Sequence, residues 1–199
     1  MPGVVATSRR GAAGLAQGRA RASGRWRELP GAAACAPREL LPFLLERGSL
    51  SQLLRAHGRE FRVLRLGQGL HAGPAGVLWT REVLLLLDGV PVVWARSVLP
   101  ADALRGAWRA LRGFGTRALG DWLFQRGDVR RGPLELRRLG GADPAARAVA
   151  RALARTGFRA EAAGTGALWA RRSAFVRRGS DLALTEVFLP PAKRLRRGA

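Results

Sequence analysis

The feature that most constrains the fold is a pair of apolar segments joined by a two-residue turn motif. Residues 77–100 read VLWTREVLLLLDGVPVVWARSVLP, and two apolar runs flank Asp88-Gly89. Asp-Gly is a favoured pair for the two-residue turn of a β-hairpin, because that turn needs positive φ at both central residues. The segment therefore predicts two antiparallel strands whose register is set by the turn.

The register of this hairpin determines where its two arginines lie. If the pairing continues from the turn without interruption, Arg81 lies directly opposite Arg96 on an apolar face. Directly opposed like charges destabilise a sheet by about 0.2–1 kcal/mol, and desolvated guanidinium groups are far less favourable unless an anion accompanies them. Carboxylates of the same chain, for example Glu82 or Glu135, are one candidate source of that anion, although Glu82 points away from Arg81. The other candidate source is an anionic ligand bound in a pocket beside the two arginines.

A second strand carries a carboxylate on an apolar face. Residues 182–190 read LALTEVFLP, and the alternation of side chains along a strand puts Glu186 among apolar neighbours. A lone acid in such a position is unfavourable unless something pairs with it. If Arg178-Gly179 is the turn of this hairpin, Glu186 faces Arg171, and a cross-strand ion pair explains it. Contact with a bound ligand is the alternative, and the spacing leaves both open.

The remaining segments predict helices and further strands. Ser49 and Gln52 form a capping box ahead of a leucine-rich helix, and Asp143 is the N-cap of a helix that ends before Gly157. Further segments predict two short helices within 38–58, a helix over 101–115, a short helix or turn over 118–127, and strands over 59–69, 132–139 and 168–176. Strands joined mainly by tight turns, with helices inserted between pairs, indicate an α+β domain with an antiparallel sheet.

The net charge of +21 raises the question of a nucleic-acid partner. The chain has 35 basic and 14 acidic residues, and every basic residue except Lys193 is arginine. The arginines are scattered along the chain, as expected if the composition reflects a GC-rich genome. Arg147, Arg151 and Arg155 follow helical spacing and indicate a solvated face. We therefore expect no specific nucleic-acid partner, although weak attraction to polyanions follows from the charge.

The residue inventory argues against disulfide-bonded, metal-binding and membrane-spanning proteins. Cys35 is the single cysteine, so no internal disulfide can form, which is typical of the reducing cytoplasm. Cys35, His57 and His71 lack the spacing of a zinc site, and we predict no metal. Because no segment approaches the roughly 18 consecutive apolar residues of a membrane span, we predict no span and a cytoplasmic location.

The sequence predicts one folded domain with two basic flanks. Residues 1–24 contain four arginines and no acid, and we expect a disordered basic extension there. Residues 25–191 carry the predicted elements and form the domain, and residues 192–199 form a basic C-terminal tail. No internal repeat or second domain is evident.

Four motifs, taken in order and spacing, resemble the bacterial chorismate lyase family. They are WTREVLLLLDGVPVVWARSVLP, LRGFGTRALGDWLF, LWARRSAF and LALTEVFLP, and the similarity runs from about Trp26 to Pro190. The resemblance implies a roughly six-stranded antiparallel sheet with helices packed on it, and a monomer. It also implies a lyase that needs no metal or organic cofactor. Such an enzyme removes pyruvate from chorismate to release 4-hydroxybenzoate, the first committed step toward ubiquinone.

The resemblance also implies roles for five residues. Arg81 holds the ring carboxylate of substrate and product, and the backbone N–H groups of Leu119 and Leu50 complete that grip. Glu186 hydrogen-bonds the C4 hydroxyl and either orients it or assists proton movement. Arg96 attracts the enolpyruvyl carboxylate, so that Arg81, Arg96 and Glu186 are the implied catalytic residues. A substrate with two carboxylates would then account for a paired-arginine face.

One departure from the family pattern bears on the shape of the site. The residue before Arg96 is Ala95, where some members of the family have glycine. We expect the added methyl group to tighten the pocket slightly.

Two other functions are open to the same sequence. The first is a non-catalytic domain that binds small carboxylates, because the implied fold also serves as the effector module of some transcription regulators. Those regulators place a winged-helix domain in front, and we expect the roughly 25 residues ahead of this fold to be too few for one. The second is a nucleic-acid-binding protein with basic and aromatic side chains on a solvent-facing sheet. The tryptophans here lie in apolar strands, which favours the enzyme.

Overall fold

An antiparallel sheet of eight strands forms the centre of the structure, a computed structural model that describes residues 25–28, 33–73, 76–158 and 167–195. The strands are β1 (Arg27–Glu28), β2 (Phe61–Gly73), β3 (Gly76–Leu87), β4 (Val90–Pro100), β5 (Val129–Arg131), β6 (Glu135–Leu139), β7 (Leu168–Arg177) and β8 (Ser180–Phe188). Their order in the sheet is β1-β6-β7-β8-β4-β3-β2, and β5 also pairs with β7. The predicted α+β class with an antiparallel sheet is confirmed. The strand count exceeds the expected six because β1 and β5 are too short to give a sequence pattern.

Within the described residues, four α-helices and several 3-10 helices pack on this sheet. The α-helices are α1 (Leu41–Leu44), α2 (Leu50–Arg55), α3 (Leu119–Phe124) and α4 (Pro144–Thr156). Both predicted helix starts are confirmed, since Ser49 accepts a hydrogen bond from the Gln52 N–H and Asp143 accepts one from the Ala145 N–H. Gly157 ends α4 with φ of 81°, the left-handed conformation in which glycine is favoured.

The predicted helix over 101–115 is wrong. This segment forms two 3-10 helices, Ala101–Arg105 and Arg109–Gly113, separated by Gly106 with φ of −121° and ψ of −112°. Glycine in a helix interior is unfavourable by roughly 1 kcal/mol relative to alanine, which makes Gly106 a weak point in the helical pattern. Trp108 and Leu111 are nevertheless fully buried, so the apolar residues of this segment reach the core without forming a continuous helix.

Both predicted hairpin turns are confirmed. Asp88 and Gly89 have φ of 51° and 77°, and Arg178 and Gly179 have φ of 48° and 74°. Positive φ at both central residues is the signature of the turn type whose twist matches that of the flanking strands.

The strand pairing beyond the first turn differs from the prediction. Leu86 pairs with Pro91 but Leu85 pairs with Val93, so that Val92 is an extra residue in β4. Proline has no N–H to donate to a neighbouring strand, and it is confined to edges and bulges of sheets for that reason. Pro91 next to the turn is therefore the physical reason for the bulge.

The bulge separates the two arginines of this hairpin. Beyond it Arg81 pairs with Ser97, and Arg96 pairs with Glu82. A shift of one residue turns every later side chain of one strand to the other face. The prediction that Arg81 lies opposite Arg96 is therefore wrong, and these two residues lie on opposite faces of the sheet.

The two faces of the sheet are covered by different elements. We call the face that carries Arg81, Ala95 and Glu186 the site face; its core includes residues of α1, α2 and α3. The opposite face packs against Val149, Ala152 and Leu153 of α4 and has a separate core. The candidate site therefore lies between the sheet and the short helices.

The flanks of the predicted domain are only partly described. Residues 1–24 and 196–199 lie outside the described residues, and so does the expectation of disorder in the extension. At the start of the predicted basic tail, Pro190–Arg194 forms a 3-10 helix in which Ala192 is fully buried. Within the described ranges, no helix is long and apolar enough to cross a membrane.

Candidate active site

Arg81 is a buried cation held by carbonyl groups. Its side chain on β3 is 2% exposed. Nε and Nη2 donate to the Gly115 carbonyl at 3.3 and 3.0 Å, and Nη2 donates to the Arg117 carbonyl at 2.8 Å. The guanidinium also lies 5.3 Å from the ring centre of Phe114.

The charge of Arg81 has no carboxylate partner in the described part of the chain. Burial, together with the nearby positive charges of Arg65 and Arg117, lowers the pKa of Arg81 to about 10. It remains protonated near neutral pH, so the interior holds an unneutralised positive charge. A buried charge in that state is a candidate for binding an anion.

Glu186 forms an ion pair with Arg171 across β8 and β7. The predicted pairing of these two residues is confirmed, and Arg171 Nε lies 2.5 Å from Glu186 Oε2. Arg171 is 2% exposed, and its Nη1 donates to the carbonyl groups of Phe43 at 2.7 Å and Glu46 at 3.0 Å. The acid is thus neutralised within the protein, while Oε1 accepts no hydrogen bond from another described residue.

Arg131 is a third arginine on the site face, and no sequence motif predicts it as a site residue. Its Nε donates to Ser173 Oγ at 2.9 Å, and its Nη1 donates to the carbonyl groups of Arg47 at 2.8 Å and Glu46 at 3.3 Å. Burial and the neighbouring Arg171 guanidinium lower the pKa of Arg131 to about 10. Arg131 lies on β5, which has three residues and gives no alternation that could have revealed it.

Small side chains separate Arg81 from Glu186. Arg81 pairs with Ser97, Ser97 pairs with Leu184, and Glu186 lies two residues further along β8, opposite Ala95. Strand spacings and rises of ordinary size put the Cα atoms of Arg81 and Glu186 about 12 Å apart. Ala95 and Ser97 lie between Arg81 and Glu186 on the site face, and this separation suits a flat ligand with polar groups at opposite ends.

The predicted backbone donors begin two helices that touch each other. Leu50 is the first residue of α2 and Leu119 is the first residue of α3. Ser49 Oγ donates to Asp121 Oδ1 at 2.7 Å, which joins the two helix starts. The first N–H groups of a helix have no carbonyl partner within it, so both leucines offer backbone donors.

The loop ahead of α3 links one of these donors to Arg81. The carbonyl groups that accept from Arg81 belong to Gly115 and Arg117, which precede Leu119 by four and two residues. The hydrogen bonds of Arg81 therefore hold the segment that leads into α3 and its first residue, Leu119.

Arg96 was predicted as a site residue, but it does not lie with Arg81 and Glu186 on the site face. Its side chain is 44% exposed on the face opposite Arg81, and its Nε lies 3.6 Å from Glu82 Oε1. The strand bulge puts it there, and Arg96 lies outside the candidate site.

An open cavity of about 460 Å³, which we call the outer cavity, lies beside the loop that holds Arg81. Its lining includes Phe61 and Val63 of β2, Arg117 of the loop, and Trp122 of α3, but neither Arg81 nor Glu186.

Among the described residues, no group of three or more His, Cys, Asp or Glu side chains is placed to hold a metal ion.

Similarity to solved structures is distant. PhnF from Mycobacterium smegmatis has a TM-score of 0.48 and 15% identity, covering 74% of this chain and 66% of that chain. The ligand-binding domain of a putative GntR-family transcriptional regulator from Bordetella bronchiseptica has a TM-score of 0.45 and 19% identity, covering 66% of this chain and 85% of that chain.

Similarity to proteins known by sequence is much closer. A family model described as chorismate lyase matches residues 26–195. A probable chorismate pyruvate-lyase from Thiobacillus denitrificans is 43% identical over 166 residues, covering 78% of this chain and 84% of the relative. One from Azoarcus sp. is 43% identical over 169 residues, covering 78% of this chain and 86% of the relative. The chain belongs to the chorismate lyase family.

Proposed function

We propose that the protein is a chorismate lyase, which converts chorismate to 4-hydroxybenzoate and pyruvate without a metal or organic cofactor. The observation that carries this proposal is the buried Arg81, whose charge is held by carbonyl groups and by no described carboxylate. A guanidinium in a site shielded from water is a strong and directional partner for a carboxylate. The names of the relatives support chorismate as the source of that carboxylate.

In the proposed complex, the ring carboxylate binds Arg81 and the backbone N–H groups of Leu50 and Leu119. The C4 hydroxyl, at the far end of the ring, donates to Glu186 Oε1, since Oε2 already accepts from Arg171. This assigns Glu186 a positioning and hydrogen-bonding role.

The reaction requires one bond to break and one hydrogen to move. As the C3–O bond breaks, the C4 hydrogen passes to the methylene carbon of the enolpyruvyl arm, which becomes the methyl group of pyruvate. The ether oxygen leaves as the keto oxygen of pyruvate, and the ring becomes aromatic. No oxidant or reductant is consumed. Because aromatisation favours the products, the protein's task is to fold the arm over the ring and match its charges.

We also propose that the enzyme works as a monomer in the cytoplasm. Cys35 is exposed and without a disulfide, as suits a reducing compartment.

The test is to incubate purified protein with chorismate and to quantify both products. We expect 4-hydroxybenzoate and pyruvate in equal amounts, also after treatment with a chelator. Binding of 4-hydroxybenzoate without turnover of chorismate would contradict the proposal and would instead indicate a non-catalytic carboxylate-binding domain.

A further inference from the structure

We infer that Arg131 binds the enolpyruvyl carboxylate of the substrate and so makes the site selective for a dianion. This inference rests on the proposed function and concerns a residue that the sequence motifs do not single out. It also replaces Arg96, which lies on the opposite face of the sheet.

The first argument is the charge balance of the site face. Three arginines, Arg81, Arg131 and Arg171, share this region with Glu186. Glu186 is paired with Arg171, and neither Arg81 nor Arg131 forms an ion pair with a carboxylate of the described residues. The Glu46 carboxylate, which accepts from the Gly48 N–H, acts on Arg131 from a distance but forms no ion pair with it. Arg81 and Arg131 are thus the two arginines of this group without an ion-pair partner, which matches a ligand with two carboxylates. The product, with one carboxylate, matches only one of them.

The second argument is the location of Arg131 relative to Glu186. Arg131 pairs with Phe175 of β7 and donates to Ser173, two residues along the same face. Its guanidinium is close enough to Arg171 and Glu186 for their charges to act on it. Arg131 therefore lies at the Glu186 end of the site, whereas Arg81 lies at the other end.

The chemistry of the substrate places its second carboxylate at this same end. The enolpyruvyl ether is attached to C3, next to the C4 hydroxyl that we assign to Glu186. When the hydroxyl lies at Glu186, the arm must start beside it and far from Arg81. Arg131 is then the unneutralised cation on that side.

Arg171 is less suited to this role than Arg131. Its side chain is 2% exposed, and its charge is already balanced by Glu186. Arg131 is half-buried, with Nε and Nη1 fixed by Ser173 and by the carbonyl groups of Glu46 and Arg47. These contacts hold the guanidinium in place without neutralising it, as a preorganised anion contact requires.

The test compares two ligands with different charge in the variant Arg131→Gln. Glutamine keeps an amide donor but removes the charge. We expect kcat/KM for chorismate to fall about 10- to 150-fold, the range for losing a charged hydrogen bond. The Kd for 4-hydroxybenzoate should change by less than about threefold, because the product lacks the second carboxylate. Arg130→Gln, at the exposed neighbouring position, is the matched control and should change neither quantity.

Three outcomes separate the alternatives. If Arg131→Gln weakens product binding and chorismate turnover equally, Arg131 only anchors residues 46–47, and the inference is wrong. If Arg131→Gln behaves like Arg130→Gln while the parent protein is active, the inference fails but the proposed function stands. A parent protein that does not convert chorismate would remove the proposed function itself.

A second variant keeps the inference testable if Arg131→Gln does not fold. Arg131→Lys retains the charge but loses the planar fork, so we expect it to keep most of the selectivity for the dianion. The inference would be overturned if a folded Arg131→Lys protein lost kcat/KM for chorismate and affinity for 4-hydroxybenzoate by the same factor, relative to the parent protein.

Discussion

Arg171 and Glu186 form a buried ion pair across β7 and β8, with Nε 2.5 Å from Oε2. The pair accounts for an acid on an apolar face, and it occupies Oε2 of the carboxylate. The same residues were expected to face each other from the turn at Arg178-Gly179, and the pairing follows because this hairpin has no bulge.

Removing one member of this pair should destabilise the protein strongly. We expect Glu186→Ala to lower the free energy of unfolding by about 3–5 kcal/mol, because Arg171 is left as a buried unpaired charge. The double variant Arg171→Met, Glu186→Leu should recover much of that loss. Urea denaturation of the double variant and of its two single variants, Arg171→Met and Glu186→Leu, measures the coupling. Additive effects of the two single substitutions would show that the ion pair is not energetically coupled.

Arg81 should matter for binding and not for folding. We expect Arg81→Gln to weaken binding of 4-hydroxybenzoate by about 1.5–3 kcal/mol, because a charged hydrogen-bond partner of the carboxylate is lost. The ligand-free protein should lose little stability, because the glutamine amide can still donate to the Gly115 or Arg117 carbonyl group while a desolvated cation is removed. Isothermal titration and thermal unfolding measure the two effects. Arg62→Gln, at an exposed position of β2, is the control; equal affinity of the two variants would contradict the assignment of Arg81.

The floor of the site should tolerate little added volume. We expect Ala95→Val to weaken binding of 4-hydroxybenzoate by about 1–3 kcal/mol, since two extra methyl groups enter the space between Arg81 and Glu186. Ala183→Val, on the opposite face of the neighbouring strand, is the matched control. If both valine variants bind the product as tightly as the parent protein, Ala95 does not line the site.

Alkaline pH should weaken binding through Arg81, whose pKa is lowered to about 10. A bound carboxylate favours the protonated form, so affinity is retained below this pKa and lost as the pH rises through it. We expect affinity for 4-methoxybenzoate, which has no phenol to titrate, to be constant to about pH 9 and then to fall by up to about tenfold per pH unit. Arg81→Gln should show no such fall. A steady affinity to pH 11 in the folded parent protein would contradict this role for Arg81.

The lowered pKa of Arg81 affects the stability of the folded protein in the opposite direction: affinity for the ligand falls as the pH rises, whereas stability increases. The folded protein releases the proton of Arg81 near pH 10, well below the ordinary pKa of an arginine side chain. Between these values the unfolded chain binds more protons, so this residue adds stability as the pH rises.

The parts of the site that follow from the sequence are those determined by local rules. The turns at Asp88-Gly89 and Arg178-Gly179 need positive φ, and both form where the residue types indicate. The register of the first hairpin could not be predicted, because the bulge at Val92 depends on how Pro91 fits between two partner strands. One extra residue was enough to take Arg96 out of the site.

Arg131 shows a different limit of sequence reasoning. Its strand has three residues, and its partners Ser173 and Arg47 are more than 40 positions away in each direction. Nothing in the local pattern distinguishes it from the many solvated arginines of a chain with net charge +21. The pairing of β5 with β7 in the folded sheet is what places Arg131 on the site face.

The crystal structure of the protein with bound 4-hydroxybenzoate would test the central claim most directly. We expect the carboxylate oxygens to lie about 2.7–2.9 Å from the guanidinium nitrogens of Arg81, as in charge-assisted pairs, with the hydroxyl group at Glu186. Product bound instead in the outer cavity beside Phe61 and Trp122, with Arg81 still held only by the carbonyl groups of Gly115 and Arg117, would contradict it.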